Sequence, residues 1–247
     1  MMRFIKKPNL PNGKLSRVIC GEIPGVVEDF FILRKIEILK CEPNLKIDPA
    51  VKFHADMCAV HLRENSIIVD RNQIELIQKL KEYRFNVYET KEEIAGEYPE
   101  DIKLNVALFG NNAVGAFRFS DKNLFEAICG FEKFEVKQGY AKCSILPINE
   151  TALITDDISV YNSLKNSFDV LLVEKGDIFL GGHEYGFIGG ASAKISNNEI
   201  LFFGNLENHR NFKDIIRFIE KHSCKALYFK DVPLTDVGGM VTLCEYI

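Results

Sequence analysis

The strongest constraint on this chain is an order of elements that repeats. Phe53 to Leu62 is an apolar run, closed by the polar turn Arg63-Glu64-Asn65. A second run (Ser66 to Val69), an amphipathic segment (Asn72 to Tyr83) and a third extended run (Asn86 to Glu89) follow. Their periodicities read strand, strand, helix, strand. The same order returns with opening strands at Asn105 to Phe109, Lys142 to Leu146 and Phe187 to Ile195. The matching helices are expected over Lys122 to Cys129, Ile158 to Asn166 and Asn211 to Lys221. Each hairpin turn carries an asparagine (Asn65, Asn111, Asn149, Asn197), a residue that tolerates left-handed backbone. A fixed order recurring every ~40 to 50 residues marks a repeat architecture.

The first and last segments complement each other. Arg17 to Cys20, Val26 to Arg34 and Ile36 to Leu39 read strand, helix, strand, without an opening strand. Residues 1 to 16 read as irregular, broken by Pro8-Asn9-Leu10-Pro11-Asn12-Gly13. Met240 to Ile247 is an apolar strand with no unit of its own. The predicted fold is therefore α/β: a five-fold pseudosymmetric β/α propeller of strand-strand-helix-strand units, closed by the C-terminal strand. It is read as a single domain over residues 1–247. Closure leaves fewer unpaired strand edges.

Charge and cysteine usage exclude several classes. With 31 basic and 35 acidic residues the net charge is −4, and no basic stripe is interleaved with aromatics, so no nucleic-acid partner is expected. No apolar run is long enough to span a bilayer, and Met1 to Lys7 lacks the apolar stretch of a signal peptide. The seven cysteines are odd in number and contain no CxxC pair, which argues against a disulfide framework and for free thiols in the cytoplasm. Gly189-Gly190 and Gly238-Gly239 fit neither the dinucleotide nor the Walker spacing, and no cofactor is expected.

In such a ring the connectors and the first residues of each opening strand face the axis. Those positions are polar: Asp48, Lys52, His54, Asp56, Glu97, Asp101, Asp177, His183, Glu184, Asp231 and Asp236. On an extended strand His54, Asp56 and Cys58 would point one way and offer mixed ligands to zinc, a weaker reading than a metal-free site. A His-x-Asp triplet is also an ordinary solvated loop, Asp177 beside Gly176 an ordinary turn, and Cys244 in Val241-Thr242-Leu243-Cys244 an ordinary core residue.

The five-unit order, over about Arg17 to Ile247, resembles the pentein fold. That superfamily holds arginine and agmatine deiminases, dimethylarginine dimethylaminohydrolase and the amidinotransferases, together with the non-catalytic translation initiation factor 6. His54-Ala55-Asp56 is similar to the His-x-Asp motif of the guanidine-modifying members. Glu174-Lys175-Gly176-Asp177 is similar to their Glu-Gly-Gly-Asp, with lysine in place of a glycine, and it follows the His-x-Asp motif instead of preceding it. Gly238-Gly239 to Cys244 lies where those members carry a nucleophilic cysteine. The resemblance implies a hydrolase acting on C–N bonds of amidines. Cys244 would be the nucleophile, His54 the acid–base group, and Asp56 and Asp177 the carboxylates on the planar cation. Asp101, His183, Glu184 and Asp236 would bind the rest of a small-molecule substrate. A non-catalytic binding module or a small-molecule binder on the same fold are the alternatives.

Overall fold

The computed structural model describes residues 2–246, so Ile247 of the predicted last strand and Met1 lie outside the described residues. The first segment contributes β1 (Met2–Phe4), β2 (Lys14–Cys20), α1 (Gly25–Leu33) and β3 (Glu37–Lys40). The next begins with a single helical turn, α2 (Ala55–Cys58), then β4 (Ala59–Arg63), β5 (Ser66–Val69), α3 (Ile74–Glu82) and β6 (Asn86–Glu89). A third holds β7 (Ala107–Phe109), β8 (Asn112–Gly115), α4 (Lys122–Ala127) and β9 (Glu132–Glu135). β10 (Ile145–Pro147), β11 (Ala152–Thr155), α5 (Ile158–Leu164) and β12 (Asp169–Leu172) follow. The last are β13 (Ser192–Ser196), β14 (Glu199–Phe202), α6 (Phe212–Lys221), β15 (Lys225–Leu227) and β16 (Val241–Tyr246).

These strands form five small sheets. In four of them the first two strands are an antiparallel hairpin and the third returns parallel to the second, over a helix. The fifth sheet runs β1-β16-β2-β3. In it β16 is antiparallel to β2, with Thr242 opposite Val18, as expected for a C-terminal strand that completes the first unit. β1, paired to the other edge of β16 with Phe4 opposite Cys244, was not legible in the sequence. Three residues, the charged Arg3 among them, are too few to show a period. β4 lies against β16 and β7, and β13 against β10 and β2.

Helix ends follow local chemistry. Asp121 and Asp157 cap α4 and α5, each accepting two backbone N–H groups of the first turn. After α1, α3 and α6 the chain turns through a left-handed residue, Lys35, Arg84 and Ser223, which ends the helix and aims the next strand back. The hairpins depart from expectation. The left-handed positions are Glu64 and Gly110, not Asn65 and Asn111. Asn65 and Asn111 instead accept, through their carbonyls, the leading N–H of the third strand, from Asn86 at 2.7 Å and Glu132 at 2.9 Å.

Each opening strand also starts later than predicted. The residues ahead of it make short-range bonds in place of ladder bonds: Ser144 N–H donates to Tyr140 O at 3.0 Å and Ala191 N–H to Phe187 O at 3.0 Å. Residues 55–58 are helical, so His54, Asp56 and Cys58 do not share a strand face, and among the described residues no three ligating side chains could hold a metal ion.

Leu243, fully buried on β16, packs with Ile19 of β2, Leu39 and Val69. Leu243→Ala is expected to cost about 2–5 kcal/mol of unfolding free energy by urea titration. Leu33→Ala, at a position 84% exposed, should stay within about 0.5 kcal/mol of wild type.

Candidate active site

The bent residues ahead of the opening strands meet at one place. Two residues before β4, β7, β10, β13 and β16 stand Met57, Asn105, Cys143, Gly190 and Gly239. Asn105 Nδ2 donates to Met57 Sδ at 3.3 Å and to Cys143 Sγ at 3.1 Å. Its Oδ1 accepts the backbone N–H of Lys142 at 2.8 Å and of Cys143 at 3.3 Å. Gly190 N–H donates to Cys143 O at 2.9 Å, and Gly239 N–H to Gly190 O at 2.8 Å. Asp56 N–H then donates to Gly238 O at 3.3 Å. Each step joins one strand-leading segment to the next.

Above these contacts lies a cavity of about 280 Å³. His54, Cys143 and Asp236 line it, with Tyr140, Phe187 and Tyr185 as aromatic walls and Asp48, His183 and Glu184 near the surface. Asp236 accepts backbone N–H groups of Phe187 at 2.8 Å and Gly238 at 2.9 Å, and its Oδ1 lies 3.9 Å from His54 Nδ1. Two glycines make this approach feasible. A Cβ on Gly190 would sit 2.0 Å from Asp236 Oδ1, and one on Gly238 (φ +75°) 2.3 Å from His54 Cβ. Tyr140 is held by its hydroxyl, which donates to Asp101 at 2.6 Å. Asp101 thus supports a wall of the cavity from behind.

Electrostatics set the protonation of the thiol. Burial and the nearby carboxylates of Asp56 and Asp236 push Cys143 well above the ordinary thiol range. It is a thiol, and its S–H donates to Asp56 Oδ2 at 3.0 Å. Burial likewise lifts Asp56 to about 6, partly offset by His54 and Lys142, while its other oxygen is buried without a partner. Asp56 stands behind Cys143, between the cavity and a void of about 10 Å³ that Lys142 and His61 also line. Asp156, bound to Ile188 N–H at 2.7 Å, is raised to about 7 by burial.

The sequence-predicted residues divide into two groups. His54, His183, Glu184 and Asp236 line the cavity, and Asp56 and Asp101 touch residues that do. Asp177 does not join them. It faces Arg210, whose Nε donates to it at 2.8 Å and holds its carboxyl down near 2. Cys244 does not either. It is buried on β16 in the cluster of Ile19, Val241 and Leu243, and burial lifts its thiol to about 11. The cysteine in the cavity is Cys143. Its legible signal was position: it occupies, ahead of its strand, the place that Asn105 occupies ahead of β7. A wider groove of about 600 Å³, lined by residues such as Phe117, Arg118 and Lys122, contains neither histidine nor cysteine. No helix among the described residues is long and apolar enough to cross a membrane.

Solved structures of similar fold include the inosamine-phosphate amidinotransferase StrB1 of Streptomyces griseus, with 12% identity, TM-score 0.61, and 98% of this chain and 97% of that one covered. The amidinotransferase SxtG of the saxitoxin pathway of Microseira wollei has 8% identity and TM-score 0.59 over 91% and 92%. The agmatine deiminase of C. jejuni has 10% identity and TM-score 0.54 over 92% and 91%. The chain thus has the pentein fold, and at these identities the likeness is one of fold alone. No curated protein matches it. It belongs to the family of unknown function DUF6873, whose family model matches residues 18–241.

Asp156 generates a pH dependence with a definite sign. Its folded pKa lies above the ordinary carboxylate value, so from about pH 4 upward the folded state holds a proton that the unfolded state has lost. Stability therefore falls as pH rises through that window and levels off above about 7. Asp156→Asn, which can still accept from Ile188, should lose about 1 kcal/mol or more less than wild type between pH 4.5 and 7.5 in denaturant titrations.

Proposed function

We propose that this chain is one closed pentein-like domain that modifies guanidines or amidines as a cysteine hydrolase, with Cys143 as its nucleophile. The observation that carries the reading is the meeting of Cys143, His54 and Asp236 in a single small cavity, with Asp56 in contact with the thiol. Support for closure comes from β16 pairing with β2 and from the run of contacts linking the five strand-leading segments. Structures of the same fold carry names of amidinotransferases and an agmatine deiminase, which agrees with amidine chemistry.

The resting thiol is protonated because burial, and then the carboxylates of Asp56 and Asp236, disfavour its charged form. A planar cation bound against Asp236 offsets that negative charge and lowers the cost of forming the thiolate. The thiol proton passes to Asp56 Oδ2, its existing acceptor. The Cys143 sulfur then adds to the amidino carbon, and His54 protonates the departing amine. His54 next takes a proton from water, the water oxygen bonds to the same carbon, and the carbon–sulfur bond breaks. The released thiolate recovers its proton from Asp56. The net reaction is addition of water and loss of an amine.

The amidine electrophile 2-chloroacetamidine tests this reading. Peptide mass spectrometry should find its adduct on Cys143, formed about tenfold faster than on buried Cys244 and slowed by added guanidine compounds. Labelling confined to the exposed Cys129 would remove Cys143 as nucleophile. The elevated thiol also favours a second reading, a binder without chemistry, for which guanidine compounds would raise the melting temperature while Cys143 stays unmodified.

A further inference from the structure

The cavity has an unusual charge balance. Its lining carries three carboxylates, Asp48, Glu184 and Asp236, and no lysine or arginine. They sit at two depths. Asp236 is buried beside His54 and Cys143, while Asp48 and Glu184 are on exposed backbone at the mouth. None is neutralised by a lysine or arginine. Asp236 is held by backbone N–H groups, and Asp48 meets His183 Nε2 at 3.1 Å. Glu184 has no hydrogen-bonding or ion-pair partner among the described residues. The neighbouring cations are turned elsewhere. Lys175 lies over the rings of Tyr185 and Phe187 at 5.6 and 5.5 Å, with its Nζ 3.5 Å from Asp157. Lys142 lines the small void behind Cys143.

Between the two acidic ends the walls are apolar or aromatic. Val51 and Leu180 line the cavity, and Tyr140 stacks on Phe187 with ring centroids 6.0 Å apart. Such a wall suits a short alkyl chain or the face of a cation. At about 280 Å³ the space is at the lower end of small-molecule sites.

We infer that the ligand of this cavity is a dication, an amidine or guanidine joined by a short alkyl chain to an amine. The planar cation sits at the inner end against Asp236. The terminal ammonium lies at the mouth between Asp48 and Glu184. A carboxylate in the same place meets two like charges and no compensating lysine or arginine, so amino-acid-like guanidines are disfavoured. This inference rests on the placement of the planar cation by Cys143 that is proposed above, and it adds the identity of the other end.

The test is calorimetric titration of Cys143→Ser protein at low salt with 4-guanidinobutylamine, arginine and 4-guanidinobutanoate. The amine-tailed compound should bind about tenfold or more tightly than the carboxylate-tailed one, with arginine between them. In the additional presence of Asp48→Asn and Glu184→Gln the preference should shrink to within about threefold, and added salt should weaken it in the parent protein. Both positions are exposed, and an unchanged melting temperature confirms that the substituted protein is folded. Equal or reversed preference overturns the inference. So does a preference that survives the double substitution, or failure of all three compounds to bind. Adduct formation at Cys143 is a separate readout. Its failure with the preference intact removes the nucleophile and leaves the ligand class, and the reverse result removes only the ligand class.

Discussion

The structure turns on one set of contacts, those that tie each strand-leading segment to the next. Asn105 is their centre. Its amide donates to the sulfurs of Met57 and Cys143, and its carbonyl oxygen accepts from the backbone of residues 142 and 143. It is only 1% exposed, so an apolar replacement leaves buried backbone N–H groups unpaired in a place water reaches poorly. On the other side of Cys143 the links run through glycines 190 and 239, which let the backbones come within hydrogen-bonding distance. A polar side chain and two side-chain-free residues thus bring separate sheets together. The cavity above them exists because these segments bend before the strands begin.

The same bending places an acidic group behind a thiol. Asp56 lies within a single helical turn, which directs it inward beneath Cys143 while His54, at the turn's start, reaches the cavity. Burial raises both Asp56 and Cys143, and the carboxylates of Asp56 and Asp236 push the Cys143 thiol up further. A thiol that stays uncharged in the empty cavity and ionises only when a cation enters avoids a standing desolvation cost. The carboxylate of Asp236, fixed by two backbone N–H groups, supplies a negative charge of fixed position for such a cation.

Much of the fold was legible because it depends on local pattern. The helices over residues 74–82, 158–164 and 212–221 fall inside their predicted ranges. In α6 the buried Ile215, Phe218 and Ile219 follow the spacing that predicted it. The pairing of the last strand with β2 followed from counting strands per unit. The errors have a common cause. Apolar residues such as Ala55, Met57 and Ile188 extend the strand pattern into segments that are helical or turned, since burial is required there as it is in a strand. That misreading put His54, Asp56 and Cys58 on one strand face. It also hid Cys143, which looked like part of an ordinary strand opening.

Composition, periodicity and the repeated element order determined by themselves the mixed α/β class, the five units and the completion of the first unit by the last strand. Each of these follows from which faces must be buried and which edges must be paired. Which of the seven cysteines lines the cavity was decided by the tertiary structure alone. Cys244 and Cys143 both precede or occupy an inner strand, and both are buried. Cys244, on a strand paired on both edges, packs with Ile19, Val241 and Leu243 and beside Arg17. Cys143 meets His54 and Asp236 because its segment bends before its strand starts, and that bend is held by Asn105, 38 residues earlier in the chain.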